Sequence, residues 1–237
     1  MTYPANDTAL LLFSRTAKQE AFYKNFFSEP NYRHNEKLAQ RLIDRTKKLV
    51  QQTALPFFTI DEKLQRGESF GERLSNAMAD IFEKGFQQVI VIGNDCPLIS
   101  AALINDAVDE VRKGHLILAP TRKGGVYMLG FTKEKFEKSS FENIRWQTSA
   151  VAEQLCQYAK EHCLSTYHLP CLDDINDYAD LTSSLSELSL TDPLRLYIQS
   201  LIASINILHA GTSIAALLQA CLANNNLRGP PSLTMLA

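Results

Sequence analysis

The sequence predicts a three-layer α/β/α domain built on a mostly parallel sheet, followed by a helical C-terminal extension. Three observations predict it. Strand-like and helix-like segments alternate along the first 190 residues, the pattern that yields parallel strands joined by right-handed crossovers. Several strands are unbroken apolar runs with no polar alternation, such as Val89–Ile92 (VIVI), which is how a strand covered by helices on both faces reads. Beyond Leu190 the texture changes to apolar helical stretches, so the boundaries drawn are 1–190 for the α/β domain and 191–237 for the extension.

In chain order, Ala9–Phe13 (ALLLF) reads as a buried strand. Residues 35–51 then carry Leu38, Leu42, Ile43, Leu49 and Val50 at near-helical spacing. Leu55–Ile60 (LPFFTI) is the next strand. In SFGERLSNAMADIFEKG, Ser69 and Glu72 form a capping-box pair; Phe70, Leu74, Ala77, Met78, Ile81 and Phe82 share one face, and Gly85 stops the helix. The VIVI strand follows, and Ser100 is the N-cap of a helix through Leu103, Ile104, Ala107, Val108 and Val111. HLILAP and VYMLGF are strands separated only by Thr121–Gly125, too short for a crossover, so the second is expected to be the antiparallel exception. A helix over 149–161, a strand over Ser165–Leu172 and a helix over Tyr178–Leu188 complete the domain.

At 237 residues, 45% of them hydrophobic, the chain can bury one substantial core. A net charge of −2 gives no basic face on the scale that nucleic-acid binding requires. No run of 18 or more apolar residues offers a membrane span, and the start of the chain lacks a secretory pattern, so a cytoplasmic location is expected. Five cysteines without a C-x-x-C pair read as reduced thiols, and the Cys156, His162, Cys163, His168 and Cys171 spacings match no zinc template. The stretches LRLYIQSLIASINIL and SIAALLQACLA are too apolar to stand alone in water, which predicts packing against the core or a homodimer through the C-terminal helices.

Three loops fall where strands end: NDCPL at 94–98, TRKGG at 121–125 and LDDINDYADL at 172–181. In parallel sheets, ligands bind beyond the carboxyl ends of the strands. Asp95 lies there, as do Asp173, Asp174, Asp177 and Asp180, and carboxylates from separate strand ends are what Mg²⁺ or Mn²⁺ needs, phosphate and water completing the shell. The plainer reading of Asp95 is a turn or cap before the next helix. Gly124 and Gly125 permit close backbone approach to a ligand, and Arg15, Lys18, Lys24, Arg66 and Arg73 are candidates for phosphate contact. No nucleophile elbow, Walker loop or G-x-G-x-x-G fingerprint is present.

Five stretches carry a resemblance: QRGESFGERL (65–74), VIGNDCPL (91–98), PTRKGGVYMLG (120–130), WQT (146–148) and DINDYADL (174–181). In that order they resemble the successive motifs of a GT-A-fold, glycosyltransferase-like family with a Rossmann-like sheet. That family is similar at greater distance to 2-phospho-lactate guanylyltransferase and the molybdenum-cofactor nucleotidyltransferases. The resemblance spans residues 9–185. It implies a nucleotide or nucleotide-sugar ligand and an Mg²⁺ or Mn²⁺ cofactor. Asp95 would be the counterpart of the metal-binding D-x-D carboxylate, and Asp174 would belong to the second acidic motif. Gly67 and the Phe70, Gly71 and Arg73 stretch would border base and ribose, while Gly124 and Gly125 would line the donor or acceptor site. The sequence departs from the family pattern at Lys123, where an acidic residue is usual, at Asn176, where a second aspartate is usual, and around TAKQEAFYK, expected as the N-terminal loop that commonly carries a Gly-x-x-Lys-x-Arg phosphate-binding pattern, which offers only Arg15, Lys18 and Lys24 and no glycine. Lys123 then either repels a second cation or touches a diphosphate itself. Three readings follow: a transferase of glycosyl or nucleotidyl groups, a nucleotide-binding protein with weakened catalysis, or an oligomeric scaffold.

Overall fold

The computed structural model describes residues 7–27 and 32–205. The chain divides into two compact units, Met1–Leu190 and Thr191–Ala237. In the first unit, six strands form one sheet: β1 (Thr8–Phe13), β2 (Phe57–Ile60), β3 (Gln88–Ile92), β4 (Leu116–Pro120), β5 (Val126–Thr132) and β6 (Thr166–His168), in the order β2-β1-β3-β5-β4-β6. β1 pairs in parallel with β2 and β3, and β4 in parallel with β6. β5 is antiparallel to both β3 and β4, as the short Thr121–Gly125 turn requires. The fold is thus the mostly parallel α/β class expected.

Alternate residues of the central strands feed two cores, which is what a sheet with helices on both faces demands. Leu11, Phe13 and Val91 point to a core closed by α3 (Phe70–Glu83), α5 (Lys138–Glu142) and α6 (Val151–Glu161), with Met78, Phe141 and Leu155 fully buried. Leu10, Ile90 and Ile92 point the other way, to α2 (Tyr32–Gln52) and α4 (Ala101–Arg112), and meet Val50, Ile104 and Val111. Each such fully buried aliphatic side chain stabilises the fold by about 1.5–3 kcal/mol. The caps form as expected: Ser69 and Glu72 close a capping box, and Ser100 Oγ accepts from Leu103 N.

Two elements differ from the sequence expectation. TAKQEAFYK is not a loop but contains α1 (Ala17–Tyr23), N-capped by Thr16, whose Oγ1 accepts from Gln19 N. The strand expected over Ser165–Leu172 shrinks to β6, because Pro170 ends regular pairing; the chain rejoins the sheet only through a bridge between Thr121 and Leu172. The first unit ends with α7 (Tyr178–Glu187), opened by a second capping box of Asp177 and Asp180. In the second unit, residues 193–205 are helical, with Leu194, Ile198, Leu201 and Ile205 buried at helical spacing. The expected helix in SIAALLQACLA and the homodimer contact assigned to it lie outside the described residues. No helix of the described residues is long and apolar enough to cross a membrane.

Candidate functional site

A cavity of about 400 Å³ opens beyond the carboxyl ends of β1, β3 and β4. Its walls come from the loops after those strands. Ser14 and Arg15 follow β1, Gly93, Asn94 and Asp95 follow β3, and Thr121, Lys123 and Gly125 follow β4. Asp174 and Asn176 arrive from the loop after β6, and Phe70, Arg73, Trp146 and Thr148 close the remaining side. Backbone hydrogen bonds stitch these loops together: Gly93 N donates to Tyr127 O (2.9 Å), Ile175 N to Asp95 O (2.9 Å) and Arg122 N to Leu172 O (3.1 Å). A site so tied is pre-organised before any ligand arrives.

Of the residues singled out from sequence, Arg15, Lys24, Phe70, Arg73, Asp95, Lys123, Gly125 and Asp174 line the cavity. Gly67, Gly71 and Gly124 are not among its lining residues, for identifiable reasons. Gly67 turns the chain into α3 with φ +130°, and a Cβ there would meet the Glu72 side chain at 2.7 Å. Gly71 lets α3 approach α5: an added Cβ would lie 2.6 Å from Glu142 O and 2.8 Å from Trp146 Cδ1. Gly124, at φ +85°, abuts the backbone of Ser149, and its carbonyl accepts from Ala152 N (2.9 Å). These glycines shape the walls without forming them. Arg66 is drawn away to Asp80 (2.5 Å), and Arg122 turns to Asp173 (3.2 Å) and Glu187 (3.6 Å).

The charged groups of the cavity are already paired. Lys24 Nζ donates to Asp95 Oδ2 at 2.7 Å and to Ile175 O at 3.1 Å, with Glu20 Oε2 at 3.8 Å. Lys123 Nζ lies 2.5 and 2.6 Å from the two oxygens of Asp180. Asn176 Nδ2 donates to Asp174 Oδ2 at 2.6 Å, while Asp174 Oδ1 is buried without a hydrogen-bond partner among the described residues. Arg15 sits over the Tyr23 ring (4.4 Å) and 3.7 Å from Glu20. Among the described residues, no group of three or more His, Cys, Asp or Glu side chains could hold a metal ion. Of the carboxylates expected to bind Mg²⁺ or Mn²⁺, Asp95 is held by an ammonium and Asp174 by an amide, and position 176 supplies a neutral side chain where a second aspartate is usual.

Among the wall residues given no individual role from sequence are Glu20 and, quoted only within WQT, Gln147. Glu20 is 4% exposed and faces the cavity from α1, hidden in a segment read as a loop. Gln147 also lines the cavity with φ +61°, a backbone conformation that costs a non-glycine residue energy and is seen more often at functional sites than elsewhere. Trp146 was quoted only as a motif. Its ring packs on Phe70 (centroids 5.5 Å) and Phe141 (4.9 Å), and its Nε1 donates to Phe141 O.

The mostly parallel sheet with this cavity at its carboxyl edge matches nucleotide-diphospho-sugar transferase-like folds. Residues 35–148 match the family described as an uncharacterized protein conserved in bacteria (DUF2064). A solved structure of a candidate nucleotide-diphospho-sugar transferase from Desulfovibrio desulfuricans is similar over 86% of this chain and 96% of its own, with a TM-score of 0.72 at 19% identity. Rv0371c of Mycobacterium tuberculosis is more distant, with a TM-score of 0.47 at 10% identity, covering 77% of this chain and 98% of that one. A glycosyltransferase involved in glycosylation of the major capsid of PBCV-1 gives 0.42 at 10% identity, covering 68% and 81%. No protein of curated function matches the sequence.

Proposed function

We propose that the cavity binds a nucleotide-sugar or nucleoside triphosphate and that the protein transfers a glycosyl or nucleotidyl group from it to a small acceptor. The carrying observation is the convergence of Arg15, Lys24, Arg73 and Lys123 with the aromatic pair Phe70 and Trp146 on one cavity at the carboxyl edge of the sheet. Cations suit a diphosphate, and aromatic faces suit a base. About 400 Å³ is within the range of small-molecule sites. A second reading is favoured by the pairing of Asp95 with Lys24: a protein that holds the nucleotide but turns it over weakly.

A thermal-shift screen of nucleoside di- and triphosphates and nucleotide-sugars tests the binding. A ligand at about 100 times its Kd stabilises by about 2.7 kcal/mol, a rise of several degrees for a domain of this size. The rise is expected to disappear in Arg73→Ala. A panel in which no nucleotide moves the transition rejects the proposal. Release of sugar or pyrophosphate from the best-binding nucleotide then separates the two readings, turnover supporting the transferase and its absence the binding protein.

A further inference from the structure

We propose that Lys24 is the built-in cation of this cavity: its ammonium takes the place of the divalent metal, so the chain binds its diphosphate-bearing ligand without Mg²⁺ or Mn²⁺. The inference rests on the nucleotide reading for its ligand, but its geometry stands apart from it.

Lys24 is the C-cap of α1, its backbone N–H bonded to Glu20 O. That position carries the side chain inward, so that only 11% of it is exposed. The ammonium there is surrounded by oxygens from three separate segments: Asp95 Oδ2 from the β3 loop at 2.7 Å, Ile175 O from the β6 loop at 3.1 Å, and Glu20 Oε2 one helical turn back at 3.8 Å. A carboxylate, a backbone carbonyl and a second carboxylate around one cation are the oxygen donors that a hard metal ion would gather. Here a tethered ammonium has gathered them. The Glu20 side chain is 6% exposed and that of Asp95 29%, and Lys24 brings a tethered positive charge to both.

Two further substitutions of charge agree. Where a second aspartate would complete a metal site, Asn176 presents an amide whose N–H is donated to Asp174. Where an acidic residue would precede the paired glycines, Lys123 reaches across to Asp180. The charged lining residues are four cations (Arg15, Lys24, Arg73, Lys123) against three carboxylates (Glu20, Asp95, Asp174), and Asp180 balances Lys123, so the cavity reaches charge balance with no metal added.

Titration of the full chain with Mn²⁺, followed by the electron-paramagnetic-resonance signal of the free ion, tests the first half. Wild type is expected to leave the signal undiminished. Lys24→Met, which uncovers Asp95 and Glu20, is expected to gain a Mn²⁺ site that Asp95→Asn removes in the double variant. Stoichiometric Mn²⁺ binding by wild type that Asp95→Asn abolishes overturns the proposal, as does a folded Lys24→Met that gains no site. Should Lys24→Met fail to fold, calorimetry on wild type decides: affinities for UDP, ADP, GDP and CDP are expected to agree within about twofold in EDTA and in Mn²⁺, and a strengthening by Mn²⁺ of about tenfold or more rejects the idea. If none of these nucleotides binds in either buffer, the nucleotide reading fails, and the Mn²⁺ titration alone judges the lysine.

Discussion

Lys123, a lining residue of the cavity, and Asp180 lie 57 positions apart in sequence, yet their side chains meet through two short contacts. Burial, the largest influence on Lys123, pulls its pKa down, but the hydrogen bond and charge of Asp180 outweigh it and leave the net shift above 10.5. Burial likewise pushes Asp180 up; the hydrogen bonds from Lys123 and from the backbone N–H groups of Asn176 and Asp177 reverse this and hold it below 3.8. The lowered carboxylate contributes stability that is present above pH 3.8 and lost as pH falls through its folded value. The raised lysine contributes stability that is present below pH 10.5 and lost as pH rises through its folded value. Lys123 is half exposed, so the pair is screened and contributes about 1 kcal/mol or less. Lys123→Ala is therefore expected to lower the melting temperature by a constant small amount from about pH 5 to about pH 9, and the gap should close as pH falls below about 4. A difference that instead grew in acid would show that another group carries it. The lysine read from sequence as a phosphate contact or metal repellent is, in the folded chain, first a partner of a carboxylate.

At the scale of elements, legibility followed burial and periodicity. β1 and β3 were readable because every strand position but Gln88 is buried and apolar or β-branched, and α3 because its apolar stripe is bracketed by a capping box and a glycine. α1 was not readable: seven residues long, it buries Ala17, Glu20 and Ala21 and leaves Phe22 and Tyr23 exposed, the inverse of an amphipathic pattern. Its fold is imposed by tertiary contacts, among them Thr16 Oγ1 and N donating to Glu62. The same holds for the site. Asp95, Asp174 and Gly125 could be found because they stand at strand ends, but the Lys24–Asp95 pair joins residues 71 apart and no local pattern encodes it. The capping box of α3 gives a quantitative test, since Ser69 Oγ accepts from Glu72 N (3.1 Å) while the Glu72 carboxylate accepts from Ser69 N (3.4 Å) and Glu68 N (2.7 Å). Ser69→Ala should cost about 1 kcal/mol in chemical denaturation with an unchanged m-value. Gly124→Ala is expected to cost more, because an added methyl group would overlap Ser149 O at a backbone angle that favours glycine; a loss no larger than that of Ser69→Ala would mean that the TRKGG turn relaxes freely.

The whole molecule combines a domain whose cavity carries its own ion pairs with a C-terminal segment of different character. In residues 193–205, Leu194, Ile198, Leu201 and Ile205 form a buried helical stripe, whereas Leu196 is 54% exposed, and Leu190, which closes the first unit, is 75% exposed. Further along, SIAALLQACLA is interrupted by only two polar residues, Ser213 and Gln219. Sequences of this kind cost free energy on the surface of a monomer, at about 25 cal/mol for each Å² of apolar area left in water. Pairing of two copies through such a segment removes the cost on both chains at once, and a two-fold arrangement is the commonest way for a soluble chain to achieve it. The full chain is therefore expected to be a dimer by light scattering coupled to size exclusion. A chain ending at residue 190 is expected to lose that dimer, and, because the cavity residues all belong to the first unit, to keep the nucleotide-dependent thermal shift of the full chain. A truncated protein that remained dimeric would move the contact into the α/β domain and leave the C-terminal segment without an oligomeric role.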